Sequence, residues 1–169
     1  TYEDSANPAL GIERAAKLRA ELARRGLDGF LIPRSDEHQG EYVPAHAERL
    51  RWLTGFSGSA GMAIVMLDKA AIFVDGRYTL QVRGPVDLDT FEAKHLMDEP
   101  PSRWIEENLP KGAKLAYDPW LHTIDAVARF RKAAEKAGGT LVPVDTNPLD
   151  AVWDDQPEPP VAKIVPHPI

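Results

Sequence analysis

The stretch that decides the fold is GMAIVMLDKAAIFVD, residues 61–75. Two strongly apolar runs, 61–67 and 70–75, are separated only by Asp68 and Lys69, and so short a connection between apolar runs is typical of a β-hairpin. Neither run alternates apolar with polar residues, as a strand with one face in water does. We therefore predict that the hairpin belongs to a sheet with both faces covered by helices.

Helical and strand patterns alternate on both sides of this hairpin. Upstream, apolar residues recur at helical spacing over 11–25, and a short apolar run at 28–33 ends at a proline. Downstream, the patterns predict a short helix to about residue 82, a strand over 88–93, a helix over 100–109, a strand over 114–118, a helix from the cap Thr123 to Gly138, and a strand over 140–144. This alternation predicts an α/β domain, a mixed sheet flanked by helices.

The composition of the chain changes near its C-terminal end. The alternating patterns occupy 1–153, whereas 154–169 has few core-forming side chains and is interrupted by prolines at 157, 159, 160, 166 and 168. We predict one domain over 1–153, followed over 154–169 by a semi-rigid, extended linker. A linker implies a following domain, so we expect the sequence to come from a longer protein.

Composition narrows the range of functions. The 169 residues are 43% hydrophobic and 27% charged, as in an ordinary globular domain with one core. The formal net charge is −6 and basic residues alternate with acidic ones, which argues against nucleic-acid binding. No apolar run approaches the roughly 18 residues that span a bilayer, which argues against a membrane role. The lack of cysteine excludes thiolate chemistry and, with no secretory leader at the start, favours a cytoplasmic location.

A polar segment, SDEHQGEY at 35–42, follows the predicted strand over 28–33. It places Asp36, His38, Glu41 and Tyr42 just beyond a strand end, where α/β sheets commonly carry their sites. From the residues alone, these side chains either make local turn hydrogen bonds or form the edge of a site.

Two further segments, TGFSGSAG at 54–61 and DGRY at 75–78, border the hairpin. The first lacks both the Gly-Lys-Ser/Thr ending of a phosphate loop and the Gly-x-Ser-x-Gly of a hydrolase elbow, so its glycines indicate a tight turn before the strand. In the second, Arg77 is either a solvated surface residue or a forked donor for a carboxylate or carbonyl.

The sequence offers no convincing metal site. It contains five histidines but no His-Glu-x-x-His pattern, and it offers isolated close pairs of metal-binding residue types such as His38 with Glu41, at a spacing of three. Zinc sites normally take three or four protein ligands. We therefore expect no metal and no cofactor to be bound by this chain.

Taken together and in order, the segments resemble a known family. The segments are 35–42, 54–61, 75–78, the strand end at 117–119 and 147–153. They resemble the N-terminal domain of long, cytosolic-type Xaa-Pro aminopeptidases (aminopeptidase P), in the creatinase/prolidase-like family. The resemblance implies a creatinase N-terminal-type fold with a ribonuclease H-like topology.

The resemblance also implies a role for the segments. It matches Asp36, His38, Glu41, Tyr42 and Arg77 to motifs that face the substrate cleft in that family, which makes these residues substrate-cleft candidates. In such an enzyme the N-terminal domain borders the catalytic cleft, restricts access to short peptides and supports a homodimer.

Catalysis, by this resemblance, belongs to a separate C-terminal domain. That domain holds two divalent metal ions, typically manganese, and removes the N-terminal residue from peptides with proline second. The metal ligands lie on it, so no catalytic residue is assigned in this sequence. We expect the chain by itself to be inactive.

Two alternatives stay open. The same segments could serve a free-standing α/β module that binds a small acidic or peptide ligand. The chain could also be the N-terminal domain of a prolidase or creatinase-like hydrolase, which shares the domain plan. A gene whose reading frame stops near Ile169 would favour the free-standing module.

Overall fold

The structure is a computed structural model that describes residues 8–33, 49–54, 61–74, 91–96 and 98–153. In these ranges helices and strands alternate as predicted. The helices are α1 (Pro8–Arg24), α2 (Arg49–Thr54), α3 (Pro101–Asn108), α4 (Ile124–Ala137) and α5 (Pro148–Val152). The strands are β1 (Gly29–Pro33), β2 (Gly61–Met66), β3 (Ala70–Val74), β4 (Glu92–His95), β5 (Lys114–Tyr117) and β6 (Thr140–Pro143).

The strands form a six-stranded sheet in the order β4-β3-β2-β1-β5-β6. Strand β2 is antiparallel to both of its neighbours, β1 and β3, whereas the β3–β4, β1–β5 and β5–β6 pairs are parallel. Strand β2 therefore runs opposite to the other strands of the sheet. The predicted mixed sheet flanked by helices is confirmed.

The predicted hairpin is confirmed as β2 and β3, which pair from Gly61 opposite Val74 to Val65 opposite Ala70. Side chains of the hairpin alternate between two cores. Ala63, Val65 and Ile72 belong to one core, and Ile64, Met66 and Phe73 belong to the other. The side chains in both cores are buried, which explains why the sequence of the hairpin shows no polar alternation.

Helices cover both faces of the sheet. On the first face, α1, α2 and α5 contribute buried leucines to one core: Leu18, Leu22, Leu50, Leu53 and Leu149. On the second face, α3 and α4 contribute Trp104, Ile105 and Phe130 to the other core. Among the tryptophans, Trp52, Trp104 and Trp153 are buried, whereas Trp120 is half exposed.

The predicted helix ends are confirmed where the cap residues indicated them. The Thr123 hydroxyl accepts a hydrogen bond from the Ala126 N–H at 3.1 Å and begins α4. Gly138, with φ of 92°, ends α4 in the left-handed region, and Gly26, with φ of 76°, follows the end of α1.

Some elements differ from the sequence prediction. The short helices α2 and α5, and a 3-10 turn over Pro119–Leu121, have no predicted counterpart, because so few residues show no helical period. Strand β4 begins at Glu92, and 88–90 of the strand predicted over 88–93 lie outside the described residues. The helix predicted near 76–82 and the linker predicted over 154–169 lie outside them too. No helix in the described ranges is long and apolar enough to cross a membrane.

Candidate functional site

One edge of the sheet receives the three segments that the sequence singled out. Strand β1 ends at Pro33, which is paired with Met62, and Gly61 at the start of β2 is paired with Val74 at the end of β3. The points where 34–48 leaves β1, where 55–60 joins β2 and where 75–90 leaves β3 therefore lie side by side. We call this edge, defined by Pro33, Gly61 and Val74, the motif edge.

The substrate-cleft candidates themselves, Asp36, His38, Glu41, Tyr42 and Arg77, lie outside the described residues, as does 55–60. Their roles stay predictions. What the sheet register adds is that the segments carrying them attach to neighbouring strands at one edge, as in other α/β sheets with sites at strand ends.

A buried polar network ties the end of β5 to α5. Both carboxylate oxygens of Asp118 accept hydrogen bonds, one from the Trp120 N–H and one from the Asn147 side-chain amide, each at 3.0 Å. The Asn147 Oδ1 in turn accepts from the backbone N–H groups of Leu149 and Asp150, which caps α5. Both oxygens of Asp118 are therefore used in this network, which holds the start of α5 to the end of β5.

Helix α2 is anchored to α5 by a charged pair. The Arg49 guanidinium donates from Nε and Nη2 to the two oxygens of Asp150 at 2.8 and 2.9 Å. Arg49 is only 6% exposed, whereas the Asp150 side chain is 31% exposed, so this bidentate pair is partly buried.

Aromatic stacking adds a second anchor for α2. The rings of Trp52 and Trp153 are stacked with centroids 5.4 Å apart. Arg14 of α1 lies over the Trp52 ring at 4.7 Å and donates from Nη1 to the Trp52 carbonyl at 2.6 Å. Helix α2, which separates 34–48 from 55–60, is thus held to both α1 and α5.

His122 is a buried imidazole beside the end of β5. Its ring makes edge-to-face contacts with Tyr117 and Phe130, each with centroids 6.0 Å apart. Its Nε2 is buried and has no hydrogen-bond partner in the part of the chain that the structure describes. Burial lowers the pKa of His122 to about 4, with a smaller opposing effect from Asp118.

Metal chemistry finds no support among the residues that are described. Over 8–33, 49–54, 61–74, 91–96 and 98–153, no group of three or more His, Cys, Asp or Glu side chains is placed to hold a metal ion. That the metal ligands lie on another domain stays an expectation from the resemblance.

The sequence did not lead us to predict the residues that hold α2 and α5 in place, which are Arg49, Asp118, Asn147 and Asp150. For Asp118 and Asn147 a signal existed, since each precedes a proline in a pattern that caps a short helix. For Arg49 and Asp150 there was none, because 101 positions separate the two residues. Only the packing of α5 against α2 makes them partners.

Comparison with known proteins gives a consistent result. The model of the creatinase/prolidase N-terminal domain matches residues 14–152. Xaa-Pro aminopeptidase 2 of Homo sapiens is 35% identical over 144 residues, which cover 85% of this chain and 21% of the human protein. A probable Xaa-Pro aminopeptidase P of Coccidioides posadasii (strain C735) is 38% identical over 160 residues, 93% of this chain and 25% of that protein.

Among solved structures, the X-prolyl aminopeptidase of Caenorhabditis elegans, a cytosolic enzyme with a di-nuclear active site, superimposes with a TM-score of 0.78. The two sequences are 29% identical, and the match covers 88% of this chain and 26% of that enzyme. The chain therefore spans about a fifth to a quarter of the length of these relatives.

Proposed function

The chain belongs to the creatinase/prolidase N-terminal domain family, and from that membership we propose that it serves as the noncatalytic N-terminal domain of an Xaa-Pro aminopeptidase. The observation that carries the proposal is the match of nearly the whole chain to a minor part of proteins named Xaa-Pro aminopeptidases. The longer protein would remove the N-terminal residue from peptides with proline in the second position.

The chemistry of bond cleavage lies, in this proposal, outside the chain. The di-nuclear site described for the C. elegans enzyme supports two divalent metal ions, manganese by our expectation, in the rest of the longer protein. Such a pair activates a water molecule and polarises the peptide carbonyl. The cytosolic description of the same relative supports a cytoplasmic location.

The motif edge supports a role beside the cleft. Three segments attach there, and in sequence 34–48 carries Asp36 and His38, while 75–90 carries Arg77. A short peptide presents a charged amino group, carbonyl oxygens and a carboxylate, and these groups pair with such side chains. We propose that this edge borders the cleft and restricts it to short peptides, and that the domain takes part in a homodimer.

Arg77 provides a direct test of the cleft role. In the full-length protein, Arg77→Ala is expected to lower kcat/KM by roughly ten- to a hundredfold, because a fixed, forked donor to the peptide is lost. Arg77→Lys should retain the charge but lose the bidentate geometry, and should also be impaired. Steady-state kinetics on an Xaa-Pro peptide, with thermal melting of each variant, measure the two effects.

The matched control is Arg103→Ala, which removes an exposed guanidinium on α3, on the second face of the sheet. We expect it to leave turnover unchanged. Full activity in Arg77→Ala, or a loss of thermal stability in place of activity, would show that Arg77 is a solvated or structural residue.

The isolated chain is expected to release no amino acid from an Xaa-Pro peptide, even with added manganese. A two-metal hydrolase needs metal ligands that, by our proposal, lie in the rest of the longer protein. Incubation of purified chain with peptide and Mn²⁺, followed by chromatographic detection of the released residue, checks this. Turnover that persists through repeated purification would contradict the noncatalytic assignment.

Substrate length separates the aminopeptidase from the prolidase alternative. The full-length aminopeptidase should cleave Xaa-Pro-Yaa tripeptides and longer peptides, whereas a dipeptidase should prefer the Xaa-Pro dipeptide itself. A reading frame that stops near Ile169 would instead favour the free-standing binding module.

A further inference from the structure

Large apolar side chains are exposed on the turn that joins β5 to α4, which we call the β5–α4 turn and define as residues 118–124. Trp120 is 48% exposed and Ile124 is 88% exposed, so two of the four large apolar side chains exposed in the described ranges lie here. Four positions separate them, which places their Cα atoms within about 14 Å of each other. Exposed apolar side chains grouped in this way mark a surface that contacts another region of protein, and tryptophan is enriched among the residues that dominate such contacts.

The β5–α4 turn is held in place by several contacts. The Asp118 carboxylate accepts a hydrogen bond from the Trp120 N–H, and the Asp118 carbonyl accepts one from the Leu121 N–H, each at 3.0 Å. Pro119 restricts the backbone between them, and Leu121 is buried. Little conformational freedom of the backbone is therefore lost when a partner covers Trp120, which favours binding.

The β5–α4 turn lies at the same end of the sheet as the motif edge. Strands β1 and β5 are parallel neighbours, so Pro33 and Tyr117 end them in the same direction. Leu67, another exposed apolar side chain, lies at the opposite end, because its N–H donates to the carbonyl of Asp28 just before β1 begins. A surface that covers the β5–α4 turn therefore approaches the motif edge and not the turn between β2 and β3.

The last described residue, Trp153, lies close to the β5–α4 turn. Asn147, at the start of α5, donates from its side-chain amide to Asp118 at 3.0 Å. Only α5, five residues long, separates Asn147 from Trp153, and a helix rises about 1.5 Å per residue, so Trp153 lies within roughly 10 to 15 Å of Asn147. A longer protein therefore continues from a point near this turn.

The continuation of the longer protein is the occupant that these observations favour. The chain covers 21% of the human relative and 26% of the C. elegans enzyme, so most of such a protein lies outside it. A domain tethered near a surface is present there at an effective concentration in the millimolar range. A free peptide or a second copy at micromolar concentration competes poorly with it.

We propose that the β5–α4 turn is the surface on which the following domain of the longer protein docks, with an apolar patch of that domain covering Trp120 and Ile124. The inference rests on the proposed function, because that function places a catalytic domain after this chain. Trp120 is the central contact, and Ile124 extends the contact to the start of α4. Docking at this turn holds the motif edge toward the following domain.

Cysteine labelling tests the proposal, because the sequence contains no cysteine and an introduced thiol is unique in this domain. Ile124→Cys is reacted with a maleimide in the 169-residue chain and in the full-length protein, and the labelled peptide is quantified by mass spectrometry. We expect labelling to be at least about tenfold slower in the full-length protein, because the thiol reacts only in the undocked fraction. The control, Leu67→Cys at the opposite end of the sheet, should react equally fast in both proteins.

A second substitution tests the central contact. Adding Trp120→Ser to the full-length protein that carries Ile124→Cys should restore most of the labelling rate of the isolated chain, because the dominant aromatic contact is lost. Adding Leu67→Ser instead should leave the slow rate unchanged. If Trp120→Ser prevents folding, the comparison of Ile124→Cys between the chain and the full-length protein still decides.

Equal labelling of Ile124→Cys in the chain and in the full-length protein would overturn the proposal, as would an equal slowing at Leu67→Cys. Slowing that disappears when the full-length protein is diluted to a monomer would make a second copy the occupant. Slowing that requires an added Xaa-Pro peptide would make the turn a ligand site, and both results also overturn the proposal. If the full-length protein cleaves no Xaa-Pro peptide, the proposed function fails, whereas slower labelling of Ile124→Cys still shows that the turn is covered.

Discussion

Phe73→Ala is expected to lower the free energy of unfolding by about 3 to 5 kcal/mol. Phe73 lies one residue before the end of β3, is 0% exposed and packs edge-to-face against Trp104 of α3 with centroids 6.1 Å apart. Truncation removes buried apolar surface and leaves a cavity beneath α3 that a rigid sheet cannot close. Domains are typically stable by only about 5 to 15 kcal/mol, so the loss is a large part of the total.

Urea unfolding of the chain, followed by tryptophan fluorescence, measures this change. Leu67→Ala is the control, because Leu67 is 42% exposed in the turn after β2 and its truncation should change stability by about 0.5 kcal/mol or less. Equal, small effects of the two substitutions would mean that the core of the second face does not hold the sheet and α3 together.

Acid should destabilise the chain through His122, by roughly 2 to 3 kcal/mol between pH 7 and pH 4.5. The pKa of His122 is lowered to about 4 in the folded state from an ordinary value of 6.5. Between these two values the unfolded chain binds a proton that the folded chain does not, so stability falls as the pH falls through this window. Above about pH 7 both states hold a neutral imidazole, and His122 adds no pH dependence.

His122→Phe isolates this effect, because a phenyl ring retains the contacts with Tyr117 and Phe130 and carries no proton. Urea unfolding of both proteins at pH 7 and pH 4.5 gives the comparison. The wild type should lose more stability than His122→Phe over this range, and the difference belongs to His122. Glu21 also stabilises the folded state, because hydrogen bonds from Arg24 and Arg25 lower its pKa to about 2. This stabilisation is lost as the pH falls below about 4.5, and it is the same in the wild type and in His122→Phe. Identical losses in the two proteins would contradict a buried, neutral imidazole.

The family assignment did not need the structure. Several motifs in a fixed order are more specific than any one of them, and their resemblance to Xaa-Pro aminopeptidases agrees with the match over 14–152. The α/β class was equally accessible, because the apolar hairpin over 61–75 and the capped helix after Thr123 are local patterns. Local patterns depend on neighbouring residues, which a sequence displays directly.

The short helices and the contacts that hold them were decided by tertiary structure alone. Helix α2 forms because Leu50 and Leu53 are buried in the core of the first face, against α1 and β1, not because its six residues favour a helix. The pairing of Arg49 with Asp150, and the stacking of Trp52 on Trp153, join residues about a hundred positions apart. Such partners are chosen by how elements pack, because the energy of burial depends on which surfaces meet and not on distance along the chain.

For the candidate site, too, the sequence predicts one part of its placement and the tertiary structure decides the other. The sequence alone predicts that the five cleft candidates follow strand ends: Asp36, His38, Glu41, Tyr42 and Arg77. The order and direction of β1, β2 and β3 bring Pro33, Gly61 and Val74 next to one another. The hairpin fixes this arrangement for β2 and β3 but does not determine where β1 lies. The strand order depends on which arrangement buries both faces of the sheet beneath helices, and this is determined only when the whole domain folds.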